Sequence, residues 1–342
     1  MLLHNSKIQY KTGVVIIKNT IIKSIFRISL LFTVILTSIW IIIARPVYTP
    51  QTLHDVEALV NTAALQQHVI FLTETTVPRN SENPENLALA ADYIKQQFEQ
   101  STARVNFQTY LDQGREYKNI IAHYGPETDE RIVIGAHYDA YANLPGADDN
   151  ASGVAGLLEL GKLLSALPLK NQVTLVAYTL EEPPYFASDK MGSYVHAAML
   201  QQQNVKIKIM IALEMIGYFS DEPGSQVYPI PMLNLFYPDA GNFIAVIDRL
   251  QSNKAAAIKA AINTYTDLSA YSINAPDYVP GIALSDHSNY WLFDYPAVMV
   301  TDTALYRNQA YHTPQDTHDR LNYKNMAKVI YGIFQYIKTI AS

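Results

Sequence analysis

The chain of 342 residues has no cysteine. That excludes a disulfide framework, a thiol nucleophile and any thiolate metal site. Acidic residues are missing from the first 54 positions, which carry Lys7, Lys11, Lys18, Lys23, Arg27 and Arg45. The rest of the chain holds 19 basic against 31 acidic residues, and the whole chain is at −6. A general nucleic-acid binder does not carry that charge, so no nucleic-acid partner is expected. After position 46 there is no Gly/Ser linker, no block of like charge and no internal repeat. With 49% hydrophobic residues, this stretch is expected to form one well-packed domain.

Residues 28–44 form an uncharged apolar run, ISLLFTVILTSIWIIIA, followed by Arg45 and Pro46. Seventeen such residues in a helix suffice to cross a hydrocarbon core of ~30 Å. A cleaved signal peptide has a shorter apolar stretch, usually ~7–15 residues, and a small-residue cleavage site, neither of which is present here. The expectation is therefore a basic cytoplasmic N-terminus over 1–27 and a transmembrane signal-anchor over 28–45. A single domain over 46–342 would follow, outside the cytoplasm by the positive-inside rule. In a bacterium that means the periplasmic side of the inner membrane, or the cell surface.

Apolar β-rich runs at 118–123, 131–137, 173–180, 206–214 and 297–301 alternate with helical patterns at 55–70, 86–102, 152–166 and 321–340. This predicts an α/β fold, a mostly parallel central sheet flanked by helices in an α/β/α sandwich. Residues 221–280 are rich in Pro, Tyr and Asn and break the rhythm, so they are expected to be an insertion or lid. Their aromatic and Pro-rich part, 218–238, is a candidate lining for an apolar specificity pocket or an ordinary packed lid.

Chemistry-bearing residues recur where apolar strands end. One run closes on His137-Tyr138-Asp139, the next on Glu181-Glu182, the next on Glu214, and the last leads to His312. Asp148 and Asp149 lie in the loop GADDNASG beside the first of these. Ligands bind beyond the carboxyl ends of strands in such sheets, so these groups should meet in one crevice. Histidines and carboxylates without cysteine suit a divalent cation, most plausibly Zn²⁺. Taken singly, each motif is as well explained by a surface pair, an N-cap or a turn. Their order along the chain is what raises the functional reading.

The segments GAHYDAYANLPGADDNASG, LEEPPYFASDKMGS, ALEMIGYFS and SDHSNYWLFDYPAVMVTDTALYRNQAYHTPQDT together resemble the M28 family of co-catalytic metallopeptidases, which includes bacterial aminopeptidases. The resemblance covers roughly residues 55–340 and implies two Zn²⁺ ions, with Co²⁺ or Mn²⁺ as other possible occupants, and a peptide substrate. It implies His137 and Glu214 on one metal, Glu182 and His312 on the other, and Asp149 bridging both. Glu181 would be the general base and Tyr311 an oxyanion donor. Asp139 would orient His137 from outside the ligand set, with Asp316 as a candidate support for His312 and His287 as a candidate substrate contact. A cis bond between Asp149 and Asn150 is implied as well. Many relatives carry Asp where this chain has Glu214, which puts the geometry of that ligand in question. Two other outcomes of the same fold are a one-zinc glutaminyl-cyclase-like cyclotransferase and a non-catalytic receptor-like domain. The complete residue set argues against the second.

Overall fold

The computed structural model describes residues 2–342, with side chains described from residue 21 onward. Eight helices and eight strands are described. The helices are α1 (Leu2–Ala44), α2 (Thr62–Ile70), α3 (Pro84–Glu99), α4 (Gly153–Leu164), α5 (Gly192–Gln202), α6 (Lys254–Tyr265), α7 (His287–Leu292) and α8 (Tyr323–Ala341). The strands are β1 (Arg104–Asp112), β2 (Arg115–Tyr124), β3 (Glu130–His137), β4 (Gln172–Tyr178), β5 (Lys206–Leu213), β6 (Phe243–Arg249), β7 (Ser269–Ala275) and β8 (Ala297–Thr301).

They form one mixed sheet in the order β1-β2-β4-β3-β5-β8-β6-β7. Strands β4, β3, β5 and β8 run parallel, as do β6 and β7, while β1, β2 and the β6/β8 pair are antiparallel. Consecutive residues of the central strands feed opposite faces, as the two-residue period requires. Ile132 and Ile134 of β3 belong to one core cluster with residues of α2, α3, α4 and α8, whereas Val133 belongs to a second with residues of α5 and α7 on the other side. The result is a three-layer sandwich whose central strands are buried on both faces. Gly135 of β3 is a packing necessity, because a Cβ there would lie 2.1 Å from the Tyr178 ring.

The expectation for 221–280 needs correction. Residues 243–275 are not an insertion, because β6, α6 and β7 extend the main sheet beyond β8. Only the stretch before β6 stands apart as irregular chain with one short 3₁₀ turn, Pro231–Leu235.

Helix α1 is continuous across the boundary expected at residues 27 and 28. Its Ile21–Ala44 portion is long and apolar enough to cross a membrane and is almost bare of protein contact. Its last turn is tied to the domain by hydrogen bonds. Lys259 Nζ donates to the carbonyls of Ala44 and Arg45, both at 2.7 Å, and Ser272 Oγ donates to Ala44 O at 2.9 Å. A cation against the free carbonyls satisfies both the orphan acceptors and the negative end of the helix dipole. Arg45 Nη2 adds a bond to Leu250 O at 2.7 Å.

Candidate metal centre

Three parallel strands end side by side in the middle of the sheet, and each delivers its last polar residue to the same rim. His137 closes β3, Glu181 and Glu182 follow β4, and Glu214 follows β5. The loop after β8 brings His312 to them, and the turn before α4 brings Asp149. All are buried except His312, which is partly exposed.

Asp149 stands between the two histidines. Its Oδ1 lies 3.3 Å from His137 Nε2 and its Oδ2 lies 3.1 Å from His312 Nε2. His137 Nε2 is also 3.3 Å from Glu214 Oε2, and His312 Nε2 is 3.3 Å from Glu182 Oε2. Two groups of ligand atoms result, His137–Asp149–Glu214 and Asp149–Glu182–His312, sharing Asp149. The Glu214 chain, one methylene longer than Asp, still reaches its histidine, and its Oε2 accepts from Ser285 Oγ at 2.6 Å.

The donor set fits a cation. His137 Nε2, His312 Nε2 and Glu182 Oε1 are buried without a hydrogen-bond partner among the described residues, although a buried polar atom without a partner is costly. Burial pushes the Glu182 carboxyl up to about 8, with Asp149 adding to the effect. Burial likewise raises Glu181 well above the carboxylate range; His137 opposes this, while Glu214 and Glu182 reinforce it. Asp149 is the exception. Burial would raise it, but the two histidine rings beside it hold it below its usual range. Such crowding of carboxylates away from water is relieved by positive charge placed among them.

The polar groups around these ligands have definite tasks. Asp139 lies 3.4 Å from His137 Nδ1 through Oδ1, and its carboxylate accepts from the backbone N–H of Glu181 at 3.1 Å and Glu182 at 3.0 Å. His137 Nδ1 also lies 3.2 Å from the Asp139 carbonyl oxygen, so this one residue meets the histidine ring with backbone and side chain while its carboxylate holds the turn that follows β4. Asp148 faces away, accepting from Gly217 N and Asn308 Nδ2, and Asp149 is the residue shared by the two groups. The Asp149–Asn150 peptide is cis. Left-handed backbone at Leu180, Met215 and His312, with φ of 58°, 50° and 55°, flanks or contains the ligand positions. Left-handed backbone at such residues is strained, and strain of that kind is characteristic of functional sites.

Glu181 belongs to neither ligand group and lies 3.9 Å from His137 Nε2. The His312 ring is stacked between Tyr141 at 4.1 Å and Tyr311 at 3.8 Å. Tyr311 and Glu214 also line an apolar cavity whose walls include Val227, Leu233, Ile273, Met299 and Ile43 of α1.

Two expectations are corrected by the geometry. Asp316 does not support His312; its carboxylate accepts from Asp148 N at 3.0 Å and Asp149 N at 3.1 Å, clamping the loop that carries the shared ligand. His287 is not placed to meet substrate. It is fully buried, its Nε2 is 2.8 Å from Ile282 O, and its ring packs edge-on to Trp291 at 4.5 Å.

Sequence reasoning passed over Ser285, Asp286 and Arg79. Ser285 and Asp286 precede His287 in the same SDHS motif. Both carboxylate oxygens of Asp286 are buried without a hydrogen-bond partner, and burial raises its carboxyl to about 7. Fully buried Arg79 donates to the carbonyls of Tyr138, Leu72, Pro145 and Gly146, tying the loop after β3 to the preceding chain. Nothing local in the sequence around Arg79 announces that role.

Residues 119–337 match the model of peptidase family M28. The chain belongs to that family. It is 54% identical over 278 residues to the protein YfbL of Escherichia coli (strain K12), spanning 79% of this chain and 85% of that one. It is 28% identical over 235 residues to leucine aminopeptidase 1 of Blastomyces gilchristii. That alignment covers 63% of this chain and only 54% of the enzyme, so the chain spans about half of that relative. Among solved structures, the fold matches BSAP, a zinc aminopeptidase from Bacillus subtilis, with a TM-score of 0.66, 14% identity and coverage of 82% of this chain and 95% of that one. It also matches Porphyromonas gingivalis glutaminyl cyclase, with a TM-score of 0.60, 18% identity and coverage of 84% and 100%. At such identities the structural matches speak for the fold alone. A family M28 peptidase is a hydrolase, and this member presents a set of histidines and carboxylates suited to a divalent metal, for which zinc is the usual occupant among the aminopeptidases.

Proposed function

We propose that the chain is a membrane-anchored aminopeptidase that removes N-terminal residues from peptides with two zinc ions. The observation that carries this reading is the position of Asp149, with one oxygen toward each unpartnered histidine nitrogen. His137 and Glu214 would hold one ion, Glu182 and His312 the other, and Asp149 both. When bound, the pair of ions supplies Lewis acidity and lowers the pKa of water for attack on a peptide carbonyl.

The protein's own groups supply the rest. Glu181 stays outside both ligand groups, so its carboxylate is free to take a proton from the attacking water and pass it to the leaving amine nitrogen. The Tyr311 hydroxyl donates to the oxygen of the scissile carbonyl as negative charge gathers there. Asp139 and Asp316 keep the ligands in register by holding their backbone and rings. A free α-amino group is attracted by the surplus of carboxylates. The apolar cavity beside Glu214 and Tyr311 takes the N-terminal side chain. Helix α1 supplies the anchor, with its basic end in the cytoplasm and the catalytic domain on the other side of the membrane.

The glutaminyl-cyclase likeness defines the discriminating experiment. Zinc-loaded protein is assayed on aminoacyl-p-nitroanilides and on peptides beginning with Gln, with bound zinc counted in parallel. Release of p-nitroaniline with two ions per chain supports the proposal. Ring closure of N-terminal Gln with one ion per chain replaces it with the cyclase reading.

A further inference from the structure

The cavity beside the centre is walled partly by the anchor helix. Ile43, the penultimate residue of α1, lines the same cavity as Glu214 and Tyr311. At 1.5 Å per residue, that wall lies within a few ångströms of the point where α1 leaves the apolar layer. The attachment is fixed by the bonds of Lys259 and Ser272 to Ala44 and of Arg45 to Leu250. Four other residues that line the cavity are apolar and open to solvent: Val227 at 54% exposed, Ile230 at 37%, Leu284 at 43% and Leu305 at 47%. The segments carrying them add Leu235 at 71% and Tyr278 at 84%. An apolar rim of this kind, around an opening, marks a surface that meets another apolar phase.

We propose that this rim rests on the outer leaflet of the membrane that holds α1, so that the cavity opens at the bilayer surface and the centre acts on peptides partitioned there. This rests on the membrane-anchored aminopeptidase reading. The occupant of the rim is lipid, because the rim is continuous with the end of a helix whose apolar surface is itself uncovered. Exposed side chains such as Leu235 and Tyr278 then sit in the headgroup region, where an aromatic with a hydroxyl is well accommodated. The substrate class is a peptide with an apolar N-terminal residue held at the membrane by its own apolar segment or by a lipid.

The absence of cysteine allows a clean test. Full-length protein carrying Leu235→Cys, Tyr278→Cys or Leu111→Cys is labelled with an environment-sensitive fluorophore. It is then reconstituted in vesicles of phosphatidylethanolamine and phosphatidylglycerol with and without spin-labelled lipid. Leu111 is exposed on β1, the sheet edge opposite β7 and the anchor. The proposal expects quenching at 235 and 278 and none at 111. Equal quenching at all three, quenching at none, or failure of the protein to join the vesicles overturns it.

A second arm compares two substrates with the same N-terminal Leu, a soluble p-nitroanilide and a lipid-tethered peptide. The double variant Leu235→Asp, Tyr278→Asp should lower turnover of the tethered peptide about tenfold and leave the soluble one unchanged. A parallel fall in both, or no fall in either, contradicts the proposal. If the unsubstituted protein cleaves neither substrate, the aminopeptidase reading fails, and the quenching pattern still decides where the rim lies.

Discussion

A carboxylate placed between two imidazoles satisfies an ion pair only when the rings are protonated, and here a second carboxylate crowds each ring as well. The arrangement makes physical sense once cations take the place of those protons. Substitution Asp149→Asn removes the shared charge and should cost both ions, so that zinc retained after gel filtration falls from two per chain toward none. Glu181→Gln keeps every ligand atom of the two groups. It should retain zinc fully while turnover of an aminoacyl-p-nitroanilide falls by ~10²–10⁴-fold, the usual weight of a general base. Near-normal turnover would remove Glu181 from that role. Asp139→Asn isolates positioning, because an amide can still meet the His137 ring but its nitrogen cannot accept from the Glu181 and Glu182 amides. It should weaken zinc binding by ~10–100-fold in competition with a chelator.

The elements that carry the site are those whose apolar runs end abruptly in a titratable residue, and these were readable in the sequence. Strands β3, β4, β5 and β8 are buried on both faces, so their sequences are continuous apolar stretches. Strand β1 was missed because, at the sheet edge, it keeps the alternating polar sequence RVNFQTYLD. Strands β6 and β7 were hidden by the Pro-rich chain around them, and their pairing with β8 depends on contacts distant in sequence. The true partners of Asp316 and the role of Arg79 are not legible for the same reason, since each acts through backbone groups far along the chain.

Helices α5 and α7 carry buried His196 and His287, which burial holds down at about 3 and about 4 respectively. Their folded values lie below the unfolded 6.5, so the stability they contribute is present above pH 6.5 and is lost as pH falls toward those values. His196→Asn and His287→Asn should each make unfolding less dependent on pH between about 6.5 and 4, by up to ~1.4 kcal/mol per pH unit. Urea titrations across that range would show it, and an unchanged slope would mean that the ring is protonated in the native state.

At the scale of the molecule, the sheet's central strands, the loop after β8 and the turn before α4 converge on one buried, negatively charged rim, and the end of α1 lines the cavity beside it. Stability should therefore depend on metal. Chelation ought to lower the thermal midpoint by an amount matching a binding term of roughly 3–4 kcal/mol per ion at saturating zinc, and zinc added back ought to restore it. The centre itself is tested most directly by anomalous diffraction at the zinc absorption edge on metal-loaded protein. Two peaks about 3.5–4 Å apart, one on each side of the Asp149 carboxylate, are expected. A single peak, or peaks away from His137 and His312, would contradict the account.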